Sequence, residues 1–121
     1  MNEFPEFMQN PANKIDPGSQ FTKGITGWVF DGADGSQMCY WTNPVGGHSA
    51  EHTHDYDEYT VVVRGQYTVI IGDKKFVLGP GDEFLIKKGL AHSGDSSPHT
   101  RTIHCFGGKR AERIKTSRKS S

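Results

Sequence analysis

A chain of 121 residues, one third of them apolar and 15 of them glycine, supplies one domain and no second catalytic module. The formal charge is zero, but residues 109–121 carry six Lys or Arg against Glu112 alone, leaving the first 108 residues at minus five. No apolar run reaches the roughly 18 residues of a membrane span, and two cysteines without CxxC spacing exclude a Cys-rich structural zinc site.

Residues 1–24 are rich in Asn, Pro, Gly and Lys, and Pro5, Pro11 and Pro17 disfavour a long helix, so this segment reads as an extended arm. Phe4, Phe7, Met8 and Ile15 are its candidate anchors. The first residues lack the basic flank and apolar stretch of a secretory leader, so a cytoplasmic protein with free thiols is expected. Residues 25–108 are expected to form the folded domain. Within it, short apolar runs alternate with glycine turns: Trp28–Phe30, Ser36–Thr42, Tyr59–Arg64, Tyr67–Ile71, Lys75–Leu78, Phe84–Ile86 and Thr100–Phe106. That spacing describes an all-β antiparallel barrel or sandwich. Residues 109–121 read as a basic flexible tail whose removal leaves stability unchanged, and its lack of aromatics argues against a nucleic-acid partner.

The chemistry concentrates in residues 46–65. Side chains at i, i+2 and i+6 of an extended chain leave the same side of a sheet, so His52, His54 and Glu58 can converge on one inward point, with a turn or bulge adjusting their aim. Two imidazoles and a carboxylate meeting inside a small domain are metal-site chemistry. His92 is the fourth candidate and has to arrive from a different strand. This N/O donor set suits one divalent transition metal ion per chain, among iron, manganese, nickel, cobalt and zinc.

These residues carry a resemblance to the cupin superfamily. Its first signature, G-x5-HxH-x3-E-x6-G, is met at every position by Gly46, His52, His54, Glu58 and Gly65. The second, G-x5-P-x-G-x2-H-x3-N, is met by Gly81, Gly89 and His92, with Lys87 in place of proline and Ser96 in place of asparagine. The resemblance implies a single-domain double-stranded β-helix, or jelly-roll barrel. It also implies a metal held by His52, His54, Glu58 and His92, and a homodimer.

Other residues have roles that depend on which strand face turns inward. On Ser36–Thr42, either Gln37, Cys39 and Trp41 or Met38, Tyr40 and Thr42 line the cavity. On the last strand, an inward His104 is the best acid/base candidate, whereas an inward Arg101 would clamp an anionic substrate. Tyr56 either overhangs the pocket as a second catalytic candidate or covers the end of the barrel. Asp57 is expected to point away from the ion, and His48 and His99 to be exposed. The functional expectation is a metal-dependent enzyme acting on a small polar metabolite by dioxygenase, isomerase or lyase chemistry; the alternative is a non-catalytic cupin that binds or senses a small ligand. No membrane partner is expected.

Overall fold

Glycine-bounded runs of β-branched and aromatic residues become strands because each can bury one face against a facing sheet. The structure, a computed structural model, describes residues 1–115; residues 116–121 of the expected basic tail lie outside the described residues. The described residues hold nine strands: β1 Thr26–Asp31, β2 Gln37–Asn43, β3 Gly47–His52, β4 Glu58–Arg64, β5 Tyr67–Ile71, β6 Lys74–Leu78, β7 Glu83–Ile86, β8 His92–Ser96 and β9 Thr100–Phe106. They form two antiparallel sheets, ordered β1-β2-β9-β4-β7 and β3-β8-β5-β6. Because the chain keeps switching sheets, the result is the expected all-β jelly roll.

Only β1–β2 and β5–β6 are hairpins between paired neighbours; the turn at Gly65-Gln66 instead carries the chain from one sheet to the other. Gly65 has φ +85°, and a Cβ there would sit 2.4 Å from Thr100 Oγ1 and 2.7 Å from Thr100 Cα. Gly46, at φ +75°, makes the other corner of the signature, with a Cβ only 2.7 Å from the Ser96 carbonyl oxygen. Both positions require glycine for conformation and for space.

Between the sheets, Val62, Val69, Leu78 and Ile86 form one apolar cluster. Ile15, Val29, Cys39, Trp41, Phe106 and Ala111 form another. Ile15 and Ala111 belong to the terminal segments. The arm winds through short 3-10 turns at Glu6–Met8, Pro11–Asn13 and Pro17–Ser19, the last two capped by Asn10 and Asp16. Phe4 and Met8 pack on the outer side of β1 and β2 against Trp28 and Tyr40, whose hydroxyl donates to the Met8 carbonyl. Phe7 is exposed and anchors nothing. Lys14 and Ile15 run along the free edge of β1, which blunts it.

The flexible-tail expectation is corrected at its first residues. Arg110 to Ile114 dock on the arm and on β2: Asp16 N–H donates to the Glu112 carbonyl at 2.7 Å, and Ile114 N–H to the Lys14 carbonyl at 3.0 Å. Gln37 is the reason. Its buried side-chain oxygen accepts the N–H groups of Arg110 at 2.7 Å and Ala111 at 2.8 Å, while its nitrogen donates to Asp31 at 2.9 Å. Arg113 adds bonds to Asp31 at 2.7 Å and to the Val29 carbonyl at 2.9 Å. The charge count registers the cations but not the buried amide that holds their backbone.

Each buried hydrogen-bonding group left without a partner costs about 1–3 kcal/mol. Truncation after Gly108 is therefore expected to destabilise the protein by at least about 2 kcal/mol, a melting shift of roughly 8 °C. Gln37→Ala should reproduce part of that loss. An unchanged melt in the truncated protein would restore the flexible-tail reading.

Candidate metal centre

The four signature residues come from both sheets. His52 ends β3 and His92 begins β8, and the two face each other in the β3–β8 ladder with ring centroids 4.3 Å apart. Glu58 begins β4, in the other sheet. His54 sits in the 53–57 link between the sheets. The shared parity of one continuous strand is thus not what brings them together. A register shift between Ser49 and His52 and the crossover after it do so. Gly89 N–H donates to the His54 carbonyl at 2.8 Å, and Lys88 N–H to Asp57 Oδ1 at 2.9 Å. Asp57 therefore braces the link from outside, as its position next to Glu58 predicts.

One ligand atom from each of His52, His54, Glu58 and His92 lies within 4.8 Å of every other. The imidazole tautomers are set from behind. Nδ1 of His52 lies 2.7 Å from the Ala50 carbonyl and Nδ1 of His92 3.0 Å from the Leu90 carbonyl. A carbonyl only accepts, so these nitrogens carry the protons and the Nε2 lone pairs are left free. Among the described residues, His54 Nε2, His92 Nε2 and Glu58 Oε1 are buried without a hydrogen-bond donor or acceptor of their own. They face one another, with Glu58 Oε1 3.4 Å from His54 Nε2 and 3.3 Å from His92 Nε2. Buried polar atoms are normally satisfied, and a cation at the centre of this cluster satisfies all of them at once. The donor set fits a divalent metal.

The other oxygen, Glu58 Oε2, accepts a hydrogen bond from His104 Nδ1 at 2.8 Å. Burial pushes the Glu58 carboxyl up, but His104, His54 and His92 outweigh burial and hold it well below the usual carboxylate range. Burial likewise pulls His52 down to about 4, with the neighbouring His92 and His54 adding to it, so the ring is neutral at physiological pH, as a ligand must be. Burial also lowers His92, yet its contacts with Glu58 and the Leu90 carbonyl win and the net shift is upward.

The cavity beside the cluster is lined by Trp41, Ser49, His52, Glu58, Tyr67, His92, Thr102, His104 and Phe106 from the barrel, and by Gln20, Phe21, Thr22, Ile25 and Arg110 from the flanking segments. Trp41 and His104 therefore settle both face questions, with their rings 4.9 Å apart edge to face. Arg101 lies on the outer face beneath the Phe4 ring, 4.3 Å from its centroid, and donates to the Met1 carbonyl at 3.0 Å. It cannot clamp a substrate in the cavity. Tyr56 does not line the cavity either. Its ring stacks on His54 at 4.8 Å, and its hydroxyl lies 3.4 Å from the Lys109 carbonyl. His48, paired with Asp95 at 2.5 Å, and His99 are exposed. Cys39 and Cys105 are free thiols on opposite faces of the same sheet.

Several lining residues escape the sequence reading, Phe21 and Arg110 foremost. Phe21 stacks on His52 with centroids 3.9 Å apart and planes 13° from parallel. The Arg110 guanidinium lies 4.5 Å from the Phe21 centroid. Both come from terminal segments, and no local pattern marks either one.

Comparison with known proteins agrees with this fold. The family described as "Cupin domain" matches residues 39–101. No curated protein matches the chain. Among solved structures, an RmlC-like cupin from Shewanella frigidimarina is 19% identical with a TM-score of 0.69, covering 91% of this chain and 96% of that one. The polyketide cyclase RemF from Streptomyces resistomycificus is 17% identical with a TM-score of 0.69, over 95% of this chain and 87% of that one. KdgF from Halomonas sp. is 20% identical with a TM-score of 0.65, over 79% of this chain and 93% of that one. With the family match spanning more than half of the sequence across both sheets of the barrel, the chain belongs to the cupin domain family.

Proposed function

We propose that the protein is a metal-dependent enzyme acting on a small polar metabolite, with one divalent ion held by Nε2 of His52, His54 and His92 and by Oε1 of Glu58. The observation that carries this reading is the convergence of the buried, partnerless atoms of His54, His92 and Glu58 on one point. Iron, manganese, nickel, cobalt and zinc all suit such a donor set. Bound there, the ion would polarise a substrate carbonyl or carboxylate for isomerase or lyase chemistry, or support dioxygenase chemistry if redox-active.

The chain's own residues have distinct tasks. His104 Nδ1–H holds Glu58 Oε2 and so keeps Oε1 aimed at the cluster, the carboxylate–histidine support that metal ligands commonly receive. On its other edge, His104 Nε2 lies 3.0 Å from Thr102 Oγ1 and 3.3 Å from Thr60 Oγ1. Thr102 also lines the cavity, so its hydroxyl connects the cavity to a nitrogen able to take or return a proton. Trp41, Phe21 and Phe106 give the cavity its aromatic lining. The alternative is a non-catalytic ligand-binding cupin using the same cavity, and it draws support from the same two threonine hydroxyls, which already occupy the His104 nitrogen. Turnover that is lost in His104→Phe even when excess ion restores full metal occupancy separates the two.

Tyr56 serves as the packing behind His54. Tyr56→Phe is therefore expected to leave metal content unchanged and to shift stability by less than about 0.5 kcal/mol. A loss of metal in that variant would give the hydroxyl a role at the centre.

Protein purified without added metal should contain close to one equivalent of a divalent ion, read by elemental analysis. Chelation should lower the melting temperature by roughly 10 °C, corresponding to about 2.7 kcal/mol for a ligand at a hundred times its Kd. His54→Ala should lose both the ion and the chelator effect, and His104→Phe should weaken ion affinity by about 10–100-fold. Equal metal content in wild type and His54→Ala would sink the ligand assignment.

A further inference from the structure

The cavity carries a single cationic side chain, Arg110, among the described residues that line it. The fold treats this arginine differently from its neighbours. Arg113 is paired with Asp31 at 2.7 Å, and Arg101 is turned outward under Phe4. Among the described residues, no carboxylate lies within 4.0 Å of the Arg110 guanidinium, and its only hydrogen bond goes to the Ser19 carbonyl. Its faces meet aromatic rings instead, with centroids at 4.5 Å for Phe21, 5.7 Å for Trp41 and 5.9 Å for Phe106.

A guanidinium used only to hold Ser19 needs one N–H. The remaining donors form a planar fork matched to two oxygens of a carboxylate, and the aromatic rings pack against the faces of that fork. Apart from the Ser19 carbonyl, no acceptor among the described residues takes these donors. Once a divalent ion is bound, the cluster and Arg110 together also make the cavity net positive, which draws in anions.

We propose that Arg110 is the specificity-determining residue of the cavity, and that the substrate or ligand is a short-chain carboxylate whose second oxygen donor reaches the His/Glu cluster. The space open to a water-sized molecule is about 60 Å³, room for a few waters at roughly 10–15 Å³ each. The ligand is accordingly a molecule of few carbons, such as a small dicarboxylate or hydroxy acid. Arg110 thus does from the C-terminal segment what Arg101, on β9, is placed too far outside to do. The inference rests on the metal-centre reading for one end of the ligand only.

The test is calorimetric titration of the cobalt(II)-loaded protein with malonate and succinate, against acetate and the two monoamides, malonamate and succinamate. In wild type, one dicarboxylate is expected to bind at least tenfold more tightly than its monoamide and than acetate. In Arg110→Gln, that advantage should collapse to within twofold, while cobalt content stays at the wild-type value. A merely structural arginine would move cobalt content as well, and that outcome overturns the proposal. Equal affinity of acetate and both dicarboxylates in wild type overturns it too, without needing any variant to fold. If the protein takes up no cobalt, yet a dicarboxylate still raises the melting temperature in wild type and not in Arg110→Gln, the metal reading fails and the Arg110 assignment stands.

Discussion

The structure depends on one buried carboxylate. Glu58 stands at the start of β4 in one sheet, and its two oxygens face different partners: Oε2 takes the His104 proton within its own sheet, while Oε1 faces imidazoles from the link and from the second sheet. An ionised carboxylate taken out of water loses several kcal/mol of hydration, and one charge-assisted hydrogen bond returns about 1.5–3 kcal/mol. The remaining deficit sits on Oε1, where oxygen and nitrogen lone pairs oppose one another. A positively charged species at that point removes the repulsion. A proton on His92 does so in part, which is why contact with Glu58 drives that imidazole upward. A divalent ion does so for all four residues together.

Holding the two sheets at this spacing is the task of the rest of the barrel. The corners at Gly46 and Gly65 set where the chain leaves and re-enters each sheet, and a side chain at either would press on backbone or side-chain atoms of the 96–100 segment. The β3–β8 ladder places His52 against His92, and β4 pairs with β9 so that Thr60 sits opposite His104. Signature glycines and signature ligands therefore belong to one mechanical unit. The apolar cluster of Val62, Val69, Leu78 and Ile86 seals the barrel below the cavity with ordinary hydrophobic packing.

What could be read from the sequence follows the range of the interactions. The ligand spacing is local and legible, and β5, β6 and β9 announce themselves by alternation between glycine turns. β8 carries no such signal, because His92-Ser93-Gly94-Asp95-Ser96 has no β-branched aliphatic residue and lines a polar cavity. The two faces of β2 could not be told apart for the opposite reason: the arm covers its outer side, so Tyr40 is as buried as Trp41 and alternation vanishes. The docking of residues 110–114 depends on Gln37, more than seventy positions away. No window of sequence contains both partners.

The cavity consequently has walls of two origins. The ion-facing wall is made by paired strands, in which moving one residue shifts a whole ladder, so its chemistry is tied to the fold itself. The other wall is made by Gln20, Phe21 and Arg110, contributed by segments that hold to the barrel through a limited set of hydrogen bonds and a few buried side chains such as Ile15 and Ala111. Exchange of residues there changes what fits beside the cluster without disturbing Glu58. Phe21 nevertheless touches His52 directly, at 3.9 Å between ring centroids. Packing or loosening of the terminal segments is therefore felt at the His/Glu cluster through that stacked pair, and ligand recognition at one wall is mechanically joined to ligand geometry at the other.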